Sequence, residues 1–328
     1  MTAGIDSLPP TIRERLREHR VTRSMRRASR IFFDTTDFTS IDYGDIIFVD
    51  DCYFLVTGYT KEGRFGVDDQ TKPWVPRVED LATGNKQILK LVFHETFDIT
   101  MGQFTISYYR NPEKEARVLE LTQGLPRFMQ GRAVLDEKGN LVRILDIING
   151  RRLDKFIYKS GANHKEYFHQ ELPAILKQFL ECVQAISLLH RNGFRHGDIR
   201  RDHIFVERKT DLFRWIDFDY DYYMPEKPFA VDLYELGNLL MYLVVRGNFH
   251  PREIMADPDM GEKILNTIEP GDYALLSKNR IVNLQKIFPY IPSELNNIFL
   301  HFSLGTDVFY DTADEIAQDL EAALQKLT

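Results

Sequence analysis

Residues 195–220, RHGDIRRDHIFVERKTDLFRWIDFDY, constrain the fold of this chain more than any other stretch. Ile204-Phe205-Val206 and residues 212–216 are β-prone runs, and the charged residues 207–211 between them read as a turn, so the segment predicts a β-hairpin. Asp198 stands just before it. Asp217 stands just after it, between Trp215-Ile216 and Phe218. Two carboxylates delivered at the ends of one strand pair suit a metal-assisted transfer, in which one accepts a proton from a hydroxyl and the other holds a divalent cation.

His196-Gly197-Asp198 and Asp217-Phe218-Asp219, in that order and with a strand pair between them, resemble the catalytic and metal-binding segments of the protein-kinase-like superfamily. The patterns of that superfamily are HRDxxxxN and DFG. His203 stands where the first pattern has Asn, and the HGD and DFD variants are similar to those of aminoglycoside- and choline-kinase-like branches and of atypical microbial kinases. The resemblance implies an α+β, bilobal fold with an antiparallel β-rich N-lobe and a mainly helical C-lobe. It also implies ATP as phosphoryl donor and Mg²⁺ or Mn²⁺ as the metal.

Residues 41–93 have the strand character such an N-lobe requires. Residues 45–49, 53–58, 74–80 and 86–93 are rich in Ile, Val, Phe and Tyr, and Asp50-Asp51, Gly63, Asp68-Asp69 and Thr83-Gly84-Asn85 separate them. Gly63-Arg64-Phe65-Gly66 resembles the tip of a nucleotide-covering glycine loop, where absent side chains let backbone N–H groups approach phosphate. A plain long hairpin loop accounts for it as well. Gln87-Ile88-Leu89-Lys90 resembles the strand whose lysine meets the nucleotide phosphates. Asn111-Pro112 is a helix start, and in the helix that follows Glu115 matches the glutamate that pairs with that lysine, with Glu113 as its rival. Residues 133–148 read as one more hairpin around a Lys-Gly-Asn turn. From its end, Asp146-Ile147-Ile148-Asn149-Gly150 resembles the inter-lobe hinge whose backbone, Asp146 and Ile148 included, reads an adenine edge. The expected division is an extension over residues 1–40, an N-lobe over 41–149 and a C-lobe over 150–328.

The second half predicts helices. Ile175, Leu176, Phe179, Leu180, Val183, Ile186 and Leu189 recur at three and four residues, and Gly193 follows as a C-terminal cap. Asp232 opens a strongly apolar helix. By resemblance it ties that helix to the catalytic-loop backbone; as a simple helix N-cap it needs no such role. Residues 290–302 and 312–316 resemble the last two helices of a protein kinase, with Thr312 and Glu315 as a capping box.

The chain departs from the family pattern in three ways. His203 replaces an amide oxygen with a softer imidazole, which suits Mn²⁺ or Zn²⁺ better than Mg²⁺, and Asp219 replaces the glycine of DFG, adding an oxygen ligand. Only 15 positions separate Asp217 from Asp232, too few for a long activation segment with a peptide-docking shelf. The arginine that pairs with that segment's glutamate would fall near Phe309, so both are missing. The resemblance therefore implies phosphoryl transfer to a hydroxyl, either a protein Ser/Thr or a small molecule. Asp198 would be the base, Asp217 the metal ligand, and Arg200, His203 and Asp219 auxiliaries. A pseudokinase serving as a nucleotide-binding or regulatory module is the alternative.

Composition narrows the setting. The net charge is −7, which argues against a nucleic-acid binder, and the two cysteines, Cys52 and Cys182, suggest no disulfide framework, so a cytoplasmic protein is expected. The longest apolar run, residues 239–245, is short for a bilayer span. The first 30 residues carry eight arginines against three acidic residues, reading as a basic arm that binds an acidic partner or anionic lipid, or as a solvated helix lying against the acidic body. Arg26-Arg27-Ala28-Ser29 resembles a basophilic phosphorylation site.

Overall fold

The computed structural model describes residues 2–64, 67–102, 104–158, 163–247, 250–256, 261–277 and 279–327. The chain is α+β and divides into two units. One is built around a large sheet and takes residues 1–94, 112–125 and 129–148; the other is mainly helical and takes residues 95–111, 126–128 and 149–328. A sheet-rich N-terminal region followed by a helical C-terminal region is consistent with the kinase-like fold expected.

The first unit opens with β1 (Thr2–Gly4), α1 (Pro10–Glu18), α2 (Arg20–Arg23) and β2 (Arg30–Phe32). Next come β3 (Ile46–Val49), β4 (Cys52–Arg64), β5 (Val67–Asp80) and β6 (Lys86–Lys90). Strands β7 (Thr96–Met101) and β8 (Phe104–Arg110) belong to the second unit. The chain then returns with α3 (Pro112–Leu121), β9 (Gly131–Leu135) and β10 (Leu141–Asp146). Eight strands form one sheet in the order β1-β2-β3-β4-β5-β6-β10-β9, with β2 and β3 parallel and the other pairs antiparallel. Asp50 and Asp51 both adopt left-handed φ, 54° and 57°, closing β3 onto β4 in a two-residue turn.

Side chains alternate across this sheet, and apolar residues point both ways. Ile47, Phe54, Val56, Val78, Leu89 and Ile144 pack in one cluster, whereas Ile46 and Leu55 pack in another with Leu8, Ile12, Leu16 and Val21. A sheet with two apolar faces needs two covers. The N-terminal segment supplies one of them, so it is not a solvated arm, and residues 1–40 are part of the sheet unit rather than an extension to it. Arg27 and Arg30 turn inward to the buried carboxylate of Asp45, each at 2.6 Å. Ser29 is 7% exposed, so its hydroxyl is not presented as a modification site would be.

The second unit continues with β11 (Gly150–Arg152), α4 (Leu153–Ile157), α5 (His164–Gln170), α6 (Leu172–Arg191), β12 (Ile204–Glu207), β13 (Phe213–Trp215) and β14 (Tyr220–Tyr222). Helices α7 (Ala230–Val245), α8 (Pro251–Met255), α9 (Gly261–Leu265), α10 (Ser293–Leu300) and α11 (Ala313–Leu324) complete it. The expected hairpin is the β12–β13 pair, extended by β11, and a second three-stranded sheet has the order β14-β8-β7. Helix α6 buries Ile175, Leu176, Phe179, Val183, Ile186 and Leu189 and packs against α7, α11 and β13. Gly193, at φ 77°, ends it. By length and composition α6 could also cross a membrane, but it is mostly buried in the protein, as a core helix is.

Candidate active site

In the first unit the alternation that buries Leu89 turns Lys90 to the opposite face, where α3 supplies Glu115. Lys90 Nζ donates to Glu115 Oε1 at 2.9 Å, and both side chains are buried, Glu115 fully. Glu113, the rival, is exposed. Arg143 stands opposite Lys90 in the pairing of β10 with β6 and donates from Nε to Glu115 Oε2 at 3.2 Å and from Nη2 to the Leu91 carbonyl at 3.3 Å. Two cations therefore share one buried carboxylate. Asp146 ends β10, accepting from Gln87 Nε2 at 3.2 Å, and Ile148 closes this unit.

Strands β4 and β5 run on to Arg64 and Val67, which are paired, as in the plain long hairpin that the sequence also allows. Gly63 sits at a register shift between Glu62 and Arg64, where a residue without a side chain eases the irregularity. Gly66 lies outside the described residues.

In the second unit Asp198 is positioned by the backbone before it. Gly197 takes φ 86°, a conformation that favours glycine and accounts for HGD at this turn. The N–H groups of His196 and Gly197 donate to Asp232 on α7 at 2.7 and 3.0 Å, and His190 Nε2 donates to the same carboxylate at 3.1 Å. Asp232 lies within the first turn of α7 rather than at its N-cap, which is Phe229. Burial pushes its carboxyl up, and the bonds and charge of His190, with His196 and Gly197, outweigh this and hold it below the usual carboxylate range.

His203 joins the two carboxylates of the expected chemistry. Its Nδ1 donates to the Asp198 carbonyl at 2.8 Å and lies 3.5 Å from Asp198 Oδ2, while Nε2 lies 3.7 Å from Asp217 Oδ2. The carbonyl contact places a proton on Nδ1, and Nε2 accepts from Arg200 Nη2 at 3.3 Å. Arg200 also donates to Asp202 Oδ2 at 2.9 Å and lies 3.7 Å from Asp198 Oδ1. Asp217 is partly exposed and takes φ 68°, a left-handed conformation that an aspartate tolerates at a cost of about 1 kcal/mol or more.

Asp219 is buried, and its Oδ2 accepts from Arg110 Nη1 at 2.8 Å. A divalent ion recruiting this oxygen would have to displace a guanidinium already in place. Burial disfavours the charge on Arg110, and Asp219 and Asp217 outweigh it, so its pKa is raised. Glu235 on α7 is pushed up to about 7 by burial and by the charge of Asp198.

The sequence reading missed Arg110 and Arg143, since each acts through a strand pairing distant in sequence. A signal existed for β7 and β8, because Phe97, Ile99, Met101, Ile106 and Tyr108 alternate on either side of Gly102.

No protein-family model matches the chain. Among curated proteins, the death-associated protein kinase dapk-1 of Caenorhabditis elegans is 25% identical over 186 residues, which is 56% of this chain and 12% of that protein. The chain thus corresponds to a small part of that relative, and over that part the similarity supports a kinase-like relationship.

Proposed function

We propose that the chain is an ATP-dependent, divalent-metal-assisted phosphotransferase whose acceptor is a hydroxyl of a protein Ser/Thr or of a small molecule. The observation that carries this reading is the single imidazole of His203 set against both Asp198 and Asp217. It sets the two carboxylates that this reading takes as proton acceptor and cation ligand relative to each other. The donors fit a divalent ion: Asp217 offers a partly exposed oxygen, and His203, protonated on Nδ1, would add its Nε2 once the Arg200 guanidinium that donates to it gives way to the ion. When bound, ATP and its metal supply the transferable phosphoryl group and neutralise part of its charge.

In this reading Asp198 accepts the hydroxyl proton, and Arg200 beside it offsets negative charge that develops nearby. Lys90, held by Glu115, meets the phosphates, and the backbone from Asp146 to Ile148 receives the base. Gly63, and Gly66 with it, would cover the phosphates. Asp198→Asn should lower metal-dependent phosphoryl transfer by roughly 10²–10⁴-fold, the usual worth of a general base, while ATP binding persists.

A regulatory module that binds nucleotide without turnover is favoured by one observation. Arginines already engage both auxiliary residues, Arg110 at Asp219 Oδ2 and Arg200 at His203 Nε2. ATP binding by the wild type with no turnover under Mg²⁺ or Mn²⁺ would select that module.

A further inference from the structure

Asp217 must hold a left-handed backbone, and no glycine stands at the two positions after it. On one side the loop is pinned by Ile216 N–H donating to the His203 carbonyl at 3.0 Å. The other side is pinned by a hairpin from far earlier in the chain. Strand β14, which begins immediately after Asp219, pairs with β8 in the register Tyr220 with Arg110, Asp221 with Tyr109 and Tyr222 with Tyr108. Asn111 N–H donates to the Asp219 carbonyl at 2.5 Å.

At the junction sits the buried side chain of Arg110, 1% exposed. Besides Asp219, it donates from Nη2 to the Tyr220 hydroxyl at 2.5 Å and from Nε to Glu95 Oε2 at 3.0 Å. Its guanidinium stacks 4.2 Å from the centre of the Tyr220 ring, and that hydroxyl donates to Glu95 at 2.7 Å. A planar guanidinium with donors on three sides can serve all of these partners at once, which a lysine cannot.

We propose that Arg110 is a positioning residue for the Asp217 loop: by holding the carboxylate of Asp219 against β8, it keeps Asp217 in its cation-binding conformation without any modification or partner. This rests on the phosphotransferase reading for what the loop binds. Asp219 is then an anchor through Oδ2. The hairpin β7–β8 does by strand pairing what a long activation segment would otherwise have to do.

The test uses the full chain as wild type, Arg110→Met, Arg110→Lys, Asp219→Asn and the Arg110→Met/Asp219→Asn double variant. Two quantities are read without any acceptor: hydrogen exchange over residues 217–222, and binding of Mn²⁺ with ATP, followed by the paramagnetic signal of free Mn²⁺. Arg110→Met and Asp219→Asn should each speed exchange over 217–222 and weaken Mn²⁺ binding by about tenfold, the effect of losing one charge-assisted hydrogen bond. The double variant should be no worse than either single one, Arg110→Lys should recover part of the affinity, and exchange in β9 and β10 should not change. Asp219→Asn keeps Arg110 on Glu95 and Tyr220, so its exchange over 217–222 decides the matter if Arg110→Met fails to fold. Unchanged protection over 217–222, or Mn²⁺ bound more tightly once Arg110 no longer occupies Asp219, would overturn the proposal. If the wild type bound no Mn²⁺ at all, the phosphotransferase reading would fail, and the exchange data would still decide the anchoring.

Discussion

Arg143 faces Lys90 across the β10–β6 pairing, and both reach one carboxylate, that of Glu115. Like charges opposite each other on adjacent strands repel, so the arrangement depends on the anion between them. Removing Glu115 leaves two buried cations face to face. Glu115→Ala should destabilise the sheet unit by about 3–5 kcal/mol, as expected when one partner of a buried ion pair is lost. Lys90→Met should cost at most about half as much, because Arg143 still neutralises Glu115. Urea unfolding of the two variants checks this; equal losses would contradict the shared-carboxylate account.

Asp232 ties α7 to the backbone of residues 196–197, and its carboxyl is held below its ordinary value of 3.8. A depressed carboxyl contributes stability that is fully present above the unfolded value and is lost as pH falls through the folded one. The wild type should therefore lose stability below about pH 4 more steeply than Asp232→Asn, although the variant is the less stable at pH 7. Melting curves from pH 3 to 7 test it, and parallel curves for the two proteins would contradict it.

Glu235 behaves in the opposite sense. Burial, with the charge of Asp198, raises its carboxyl from 4.5 to about 7. Its contribution is fully present below 4.5, where the unfolded chain is also protonated, and is lost as pH rises to about 7. Glu235→Gln, which cannot ionise, should match the wild type near pH 4 and melt a few degrees higher at pH 8. A constant gap across that range would show that Glu235 ionises in the folded protein as it does in water.

With a proton on Nδ1, the unprotonated Nε2 of His203 accepts from Arg200 and lies 3.7 Å from Asp217 Oδ2, where an ion displacing the guanidinium would find it. His203→Asn replaces a nitrogen ligand by an amide oxygen and should shift the Mn²⁺-to-Mg²⁺ affinity ratio toward Mg²⁺ by roughly tenfold. Titrations of each metal in the presence of ATP measure the ratio. An unchanged ratio would mean that the imidazole acts only as a brace between Asp198 and Asp217.

Features carried by local sequence were legible. The β-prone runs around residues 204–216, the apolar repeat of α6 and the capping box of Thr312 and Glu315 each act within a few residues of one another, and the structure contains all three. The pairing of Lys90 with Glu115 required the family resemblance, because nothing local ties a strand lysine to a helix glutamate 25 positions later. What stayed hidden depends on distant pairing. Arg110 meets Asp219 only because β14 joins β8, and Arg143 meets Glu115 only because β10 lies beside β6 and α3 packs against β10. The N-terminal segment was misjudged for a related reason. Ile12, Leu16 and Val21 are few for a helix of its own, and their value lies in the sheet face they cover.

The most direct test of the central claim is a thermal-shift titration with ATP, alone and with Mg²⁺ or Mn²⁺, on the wild type and on Asp217→Asn. At about a hundred times its dissociation constant the ligand should stabilise the wild type by roughly 2.7 kcal/mol, a rise of a few degrees for a protein of this size. The account predicts a metal-dependent rise in the wild type that Asp217→Asn abolishes. An equal rise in both proteins, or none in either, would contradict it.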